Sequence, residues 1–347
     1  MKEIKGTKVF DAGEVEEGAK ILQKGGLVSF PTETVYGLGA NALDQRAVKG
    51  IFKAKGRPND NPLIVHINDK EDIKPLIKGD LPSIGERLID EFWPGPLTLV
   101  LPKGEGIPDV TTGGLDTIAL RMPDHSIALD LIAKSGLPIA APSANLSGRP
   151  SPTLCSHVVE DLSGRVDAII DGGETGFGLE STVLDLSREV PILLRPGGIT
   201  YEELRAVIGE VEVDPVVIGK QEKDSNKALS PGMKYRHYAP KAQAILVEGE
   251  KDKVIDKIIE LLGDKEGKFG VMASQQSVKN YPDGVVVKSM GSRYNLSEVG
   301  SNIFKILREF DQLDVDKIFI EGISDQGLGL AIMNRLRKAT GYKIIEV

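Results

Sequence analysis

The chain has 347 residues, a formal charge of −8, 40% apolar residues and only 5% aromatic ones. That length exceeds what one compact domain usually holds and points to two, while the acidic balance excludes a global basic footprint for nonspecific nucleic-acid binding. The single cysteine, Cys155, excludes an internal disulfide and a cysteine-rich zinc site, and with no oriented base beside it reads as a small buried thiol rather than a nucleophile.

The amino-terminal residues lack an apolar stretch of signal-peptide length, and no segment reaches the roughly 18 apolar residues of a membrane span, so a cytoplasmic protein with no membrane partner is expected. In chain order, strands are predicted at 26–30, 63–67, 97–101, 117–121, 137–141 and 168–171, alternating with helices at 15–25, 44–53, 83–92 and 126–135. Such alternation implies a mixed α/β layer fold. A hairpin at 181–185 and 191–195 and a helix at 201–208 close this part, assigned to residues 1–210. Regular periodicity disappears over 211–242, which is expected to be a linker. From 243 to 347 strand and helix alternate again, as in a small open α/β sheet of Rossmann-like type. The loop from Glu321 to Gly329 lacks a nucleotide-fingerprint spacing and reads first as turn geometry.

Two segments far apart in sequence carry the chemistry. Lys53, Lys55 and Arg57 alternate where a short helix, 45–53, is expected to end, because Gly56 and Pro58 cannot continue it. The cations would then be presented from a loop, and an ammonium with a planar guanidinium suits phosphate oxygens. Alone, such a run more often complements a helix dipole. The second segment, from Pro142 through Ser143, Asn145 and Ser147 to Gly148, supplies hydroxyl and amide groups on a turn that a ligand can approach closely. The four histidines, His66, His125, His157 and His237, show no metal-ligand spacing, and no metal held by protein side chains is expected.

Further strings accompany these two in order. Pro31 to Gly39 reads PTETVYGLG, Asn61 to His66 NPLIVH, Trp93 to Thr98 WPGPLT, and Leu120 to Pro123 LRMP. Glu180 to Val183 reads ESTV, Leu194 to Gly198 LRPGG, and Ser230 to Pro240 SPGMKYRHYAP. Taken together they resemble the two-domain form of threonylcarbamoyl-AMP synthase, whose catalytic part is a YrdC-like domain. The match covers about residues 28 to 240, and the last third resembles that family only in general layout.

The resemblance implies a YrdC-like mixed-sheet catalytic domain followed by a smaller open α/β domain. It implies synthesis of threonylcarbamoyl-AMP and pyrophosphate from L-threonine, bicarbonate and ATP, with Mg2+ carried by the nucleotide. The adenylate would serve tRNA modification through a downstream threonylcarbamoyl transferase, with tRNA a further expected partner. Carried over position by position, Lys55, Arg57, Ser143 and Asn145 correspond to the catalytic pairs. Arg57, Asn61, Thr117, Ser143, Ser151, Arg195 and a residue of 235–237, Tyr235 or His237 foremost, lie on the ATP side. Thr34, His66, Arg121, Ala141 and Ser181 lie on the threonine side, where Arg121 would hold the carboxylate. His66, in an apolar strand, also reads as a satisfied core histidine, and Thr34 as a cap. Residues 230–241 would act as a flap that excludes water from the adenylate. Two other readings are a carbamoyl-adenylate-forming carbamoyltransferase, whose cysteine-rich zinc motifs one cysteine cannot supply, and a nonenzymatic RNA-binding module.

Overall fold

The computed structural model describes residues 2–217, 230, 237–263 and 267–347. They fall into two compact units. The first comprises Met1–Ser147, Ser151–Gly176 and Glu180–Tyr235, the second Gly148–Pro150, Phe177–Leu179 and Arg236–Val347.

In the first unit, β1 (Lys2–Ile4) and β2 (Thr7–Asp11) form a hairpin, followed by α1 (Val15–Gln23), β3 (Val28–Phe30) and β4 (Gly37–Asn41). Next come α2 (Gln45–Lys55), β5 (Ile64–His66), α3 (Ser83–Phe92), β6 (Leu97–Pro102), α4 (Asp109–Thr112) and β7 (Thr117–Arg121). The unit ends with α5 (Ser126–Ser135), β8 (Ile139–Ala140), α6 (Cys155–Leu162), β9 (Ala168–Asp171), β10 (Thr182–Asp185), β11 (Ile192–Arg195), α7 (Tyr201–Ile208) and β12 (Glu212–Val213). Among the described residues, these strands form one mixed sheet in the order β1-β2-β9-β3-β4-β8-β5-β7-β6-β10-β11-β12. The expected hairpin near residue 190 is the antiparallel pair of β10 and β11.

The helices pack by their apolar stripes. In α1, Val15, Ala19 and Leu22 recur at helical spacing and are buried with Leu131 and Ile132 of α5 against Val28 and Ile170. Each of the valine, leucine and isoleucine side chains contributes about 2 kcal/mol of burial. Strand β4, which is not among the strands predicted from sequence, lies between β3 and β8. A Cβ at Gly39 would come 2.8 Å from both Phe30 and Ile139, so that position of the strand takes only glycine.

In the second unit, β13 (Gln243–Glu248), α8 (Lys251–Gly263), β14 (Phe269–Ala273), β15 (Val286–Ser289), α9 (Leu296–Gln312), β16 (Lys317–Glu321), α10 (Leu328–Ala339) and β17 (Ile344–Glu346) build a wholly parallel sheet in the order β15-β14-β16-β13-β17. Parallel neighbours require crossovers, which the helices supply. Among the described residues no helix is long and apolar enough to cross a membrane.

Candidate active site

Helix α2 delivers the first cations. The Asp44 side chain caps its start by accepting from the N–H groups of Arg46 and Ala47. Its end differs from expectation, because Gly56 adopts a left-handed conformation (φ 63°) that lets the helix run through Lys55. Gly56 N donates to Lys53 O and Arg57 N to Phe52 O, the paired bonds of a Schellman ending. This geometry turns the two cations to different environments. Lys55 is not a loop cation: it is 2% exposed, and its Nζ donates to Ser143 O, to Asn145 O at 2.6 Å and to Asn145 Oδ1 at 3.4 Å. Arg57 is half-buried on the loop beyond and reaches Pro62 O at 3.2 Å and Asn61 O at 3.4 Å.

The structure therefore brings the Lys55/Arg57 and Ser143/Asn145 segments together. Ser143 Oγ donates to Asn145 Oδ1 at 2.6 Å, Ser147 N returns to Lys55 O at 2.9 Å, and Ala144 N donates to Tyr36 O at 2.8 Å. Asn61 is 1% exposed, yet neither its Nδ2 nor its Oδ1 has a hydrogen-bond partner within the protein. An amide buried in this way costs about 1 to 3 kcal/mol per unsatisfied group, a debt that a polar ligand would remove.

A second cluster lies at the carboxyl ends of β5 and β7, where His66 and Arg121 are register partners. Arg121 is 4% exposed; Nη1 donates to Thr34 Oγ1 at 3.0 Å, Nε to Gly95 O at 3.2 Å, and Nη2 forms an ion pair with Glu33 Oε1 at 2.6 Å. The carboxylate facing Arg121 in the structure is thus Glu33's own. Burial, with the Arg121 charge as second cause, lowers the His66 imidazole to about 3, so it is neutral at physiological pH. Its Nδ1 has no hydrogen-bond partner in the protein. Ala141 is buried after β8 and donates its N–H to Ile64 O at 2.9 Å.

Ser181 joins this cluster to Arg195. Its Oγ lies 2.7 Å from Thr98 Oγ1, and Arg195 reaches Ser181 O through Nε at 3.0 Å and Ser181 Oγ through Nη2 at 3.1 Å. Ser151 is fully buried and donates to Glu180 Oε1 at 2.5 Å. Thr117 opens β7 while Arg121 closes it, which separates them by about 13 Å along the strand. His237 is half-buried in the second unit, its ring 5.6 Å from that of Tyr238. Tyr235, and with it much of the expected flap over 230–241, lies outside the described residues.

Glu33, Thr98 and the Gly95 carbonyl were not singled out from sequence. Glu33 adjoins Thr34 in sequence, and the only signal for it would have been the need of a buried arginine for a counter-ion, which the sequence does not locate. His157 accepts from Thr153 N through Nδ1, as a satisfied core histidine does. Cys155 is buried, and burial, aided by Asp171, pushes its thiol up to about 12, far from a nucleophilic thiolate.

A family model described as "Telomere recombination", covering Sua5, YciO and YrdC proteins, matches residues 20–197, and one described as "Threonylcarbamoyl-AMP synthase, C-terminal domain" matches residues 199–341. A threonylcarbamoyl-AMP synthase of Pyrococcus abyssi is 56% identical over 96% of this chain and 96% of its own. The chain belongs to the threonylcarbamoyl-AMP synthase family. A second member of this synthase family, from Bacillus subtilis, is 49% identical over 96% of this chain and 94% of its own. The crystal structure of Pyrococcus abyssi Sua5 complexed with L-threonine superposes with a TM-score of 0.92 at 52% identity, covering 98% of this chain and all of that one. The mixed sheet and the parallel second sheet are therefore the architecture of the synthase family.

Proposed function

We propose that the two clusters are the two halves of one reaction site. The chain is an L-threonylcarbamoyladenylate synthase, and ATP, L-threonine and bicarbonate are its substrates. The threonine amine, as the free base, attacks the carbon of bicarbonate; a C–N bond forms and water leaves, giving a carbamate. A carbamate oxygen then attacks the α-phosphorus of ATP, the bond to the β-phosphate breaks, and pyrophosphate departs with the electron pair. No protein nucleophile is required, so the residues bind, orient and neutralise charge.

On the ATP side, Arg57 and Arg195 offer guanidinium donors, and Lys55 contributes its charge while its hydrogen bonds hold the Ser143/Asn145 turn in shape. Asn61, Thr117 and Ser151 supply polar contacts, and His237 and Tyr235 remain assigned to the nucleotide. Mg2+ arriving with ATP would neutralise the triphosphate and be carried by the nucleotide, leaving the Ser143 hydroxyl and Asn145 amide to the phosphates. On the threonine side, the substrate carboxylate takes the Arg121 fork. Glu33 is then left beside the amine, where it suits the ammonium and can accept its proton. The neutral His66 Nδ1 meets the threonine hydroxyl, while Thr34, Ala141 and Ser181 complete the pocket. The resulting adenylate is passed to a transferase that modifies tRNA.

The observation that carries this reading is the set of Lys55 hydrogen bonds to the Ser143/Asn145 turn, which joins two sequence-distant segments beside an unsatisfied buried amide at Asn61. Steady-state pyrophosphate release tests it. Arg121→Ala is expected to raise the threonine KM while leaving the ATP KM little changed, and valine should not replace threonine, because the hydroxyl-reading groups would stay unpaired. Comparable turnover with valine, or an Arg121→Ala effect confined to ATP, would refute the assignment of the threonine side.

A further inference from the structure

Gly148–Pro150 and Phe177–Leu179 interrupt the sequence of the first unit but belong to the second. Helix α9 grips both. At one end of the helix, Gly178 (φ +74°) passes so close that an added Cβ would stand 2.4 Å from Ser301 Cα and 2.9 Å from Gly300 O. No side chain fits there. Beside it, a Cβ on Gly300 would come 3.1 Å from Leu179 Cδ1. Farther along the helix, Arg308 is 1% exposed and donates Nη2 to Pro150 O at 2.6 Å. Asp311 Oδ2 lies 3.9 Å from Arg149 Nη2, and Asp311 Oδ1 accepts from Lys241 N at 2.7 Å.

Gly300, Phe304, Arg308 and Asp311 follow one another at spacings of four, four and three, so they occupy one face of α9. Between the two grips, Tyr238 packs on Phe304 with ring centroids 4.9 Å apart, and Ala239 N donates to Gly148 O at 2.9 Å. The stripe is thus continuous from one triplet to the other.

What the triplets adjoin in the chain gives the stripe its consequence. Ser151 directly follows Pro150, and Glu180 directly follows Leu179; the two are joined by the 2.5 Å hydrogen bond from Ser151 Oγ to Glu180 Oε1. Ser147, bonded to Lys55, precedes Gly148, and Ser181, bonded to Arg195, follows Glu180. Each gripped triplet therefore lies within two residues of one assigned to a substrate, Ser151 or Ser181.

We propose that α9 is a positioning element for adenylate synthesis, with Arg308 setting the stretch that carries Ser151 and the Gly300 and Ser301 backbone setting the stretch that carries Glu180 and Ser181. Arg308 is a positioning residue that touches no substrate. The inference rests on the assignment of Ser151 to ATP and Ser181 to threonine. The planar guanidinium that places Nη2 on the buried Pro150 carbonyl fixes direction as well as distance, which a lysine ammonium does not reproduce.

The test uses the full chain and pyrophosphate release, with thermal melting measured in parallel. Arg308→Lys is expected to raise the ATP KM by about tenfold with the threonine KM nearly unchanged, since small misplacements of a positioning group carry large kinetic effects. Gly300→Ala should shift the threonine KM more than the ATP KM. Ile258→Val, a buried change in α8 away from the stripe, should leave both constants unaltered.

If Arg308→Lys loses its cooperative melt, Gly300→Ala against Ile258→Val decides the matter by the same split. Unchanged KM values in a folded Arg308→Lys or Gly300→Ala chain, or equal shifts in Ile258→Val, would overturn the role of α9. Absence of threonine- and bicarbonate-dependent release from the unsubstituted chain would instead overturn the underlying reaction.

Discussion

Lys55 and Arg57 stand two residues apart and are expected to respond differently to truncation. Arg57→Ala should lower adenylate synthesis by about a hundredfold, the scale of one lost charge partner in a transition state, with a melting temperature close to that of the unsubstituted chain. Lys55→Ala should lose activity and stability together, because it removes a charged donor shared by the Ser143 carbonyl and the Asn145 carbonyl and side chain, about 1.5 to 3 kcal/mol for a charge-assisted hydrogen bond. Equal stability of the two variants would contradict the buried role of Lys55. At His66 the folded pKa of about 3 lies below the ordinary 6.5, owing to burial and then to Arg121. Between those values the unfolded chain binds more protons than the folded one, so stability is complete above 6.5 and falls as pH drops through the window. His66→Asn should flatten that part of a melting-temperature profile; an unchanged slope would show that His66 does not titrate as described. That Lys55 meets the Ser143/Asn145 turn and Arg121 meets Thr34 was legible, because the motifs had already grouped those residues. Glu33 and the burial of Lys55 were not, since both depend on partners 88 residues away: Arg121 closes β7 opposite Glu33, and the Ser143 carbonyl meets the Lys55 ammonium.

Among elements, the end of α2 decides how the cations are presented. Gly56 has no neighbour that an added Cβ would strike, so its requirement is the left-handed backbone alone. Gly56→Ala should cost about 1 kcal/mol, whereas Gly56→Asn should recover part of it because asparagine tolerates that conformation. Thermal melts of the two variants check this, and equal stability would remove the Schellman ending as the reason Arg57 points where it does. The elements with clear periodicity, such as α3, α5, β6 and β7, stand close to where their apolar patterns put them. The ones hidden in sequence are instructive. Strand β4 is rich in glycine, and Phe30 and Ile139 leave no room for a side chain at Gly39, while α6 follows a proline-rich approach that masks its start. At Gly39 tertiary crowding overrides local propensity.

At the scale of the whole molecule, alternation of strand and helix before and after 211–242 was enough to anticipate two sheets, because a parallel sheet cannot form without its crossovers. It did not reveal that Gly148–Pro150 and Phe177–Leu179 cluster with the second unit, since a triplet's allegiance is set by close backbone approach and not by its own pattern. The reaction requires that both clusters serve one adenylate, and the most direct measurement is the mass of the product formed from ATP, L-threonine and carbon-13 bicarbonate. Threonylcarbamoyl-AMP carrying the label, with equimolar pyrophosphate and none in the absence of either threonine or bicarbonate, is the expected result. Pyrophosphate release that ignores threonine, or that requires carbamoyl phosphate in place of bicarbonate, would contradict it.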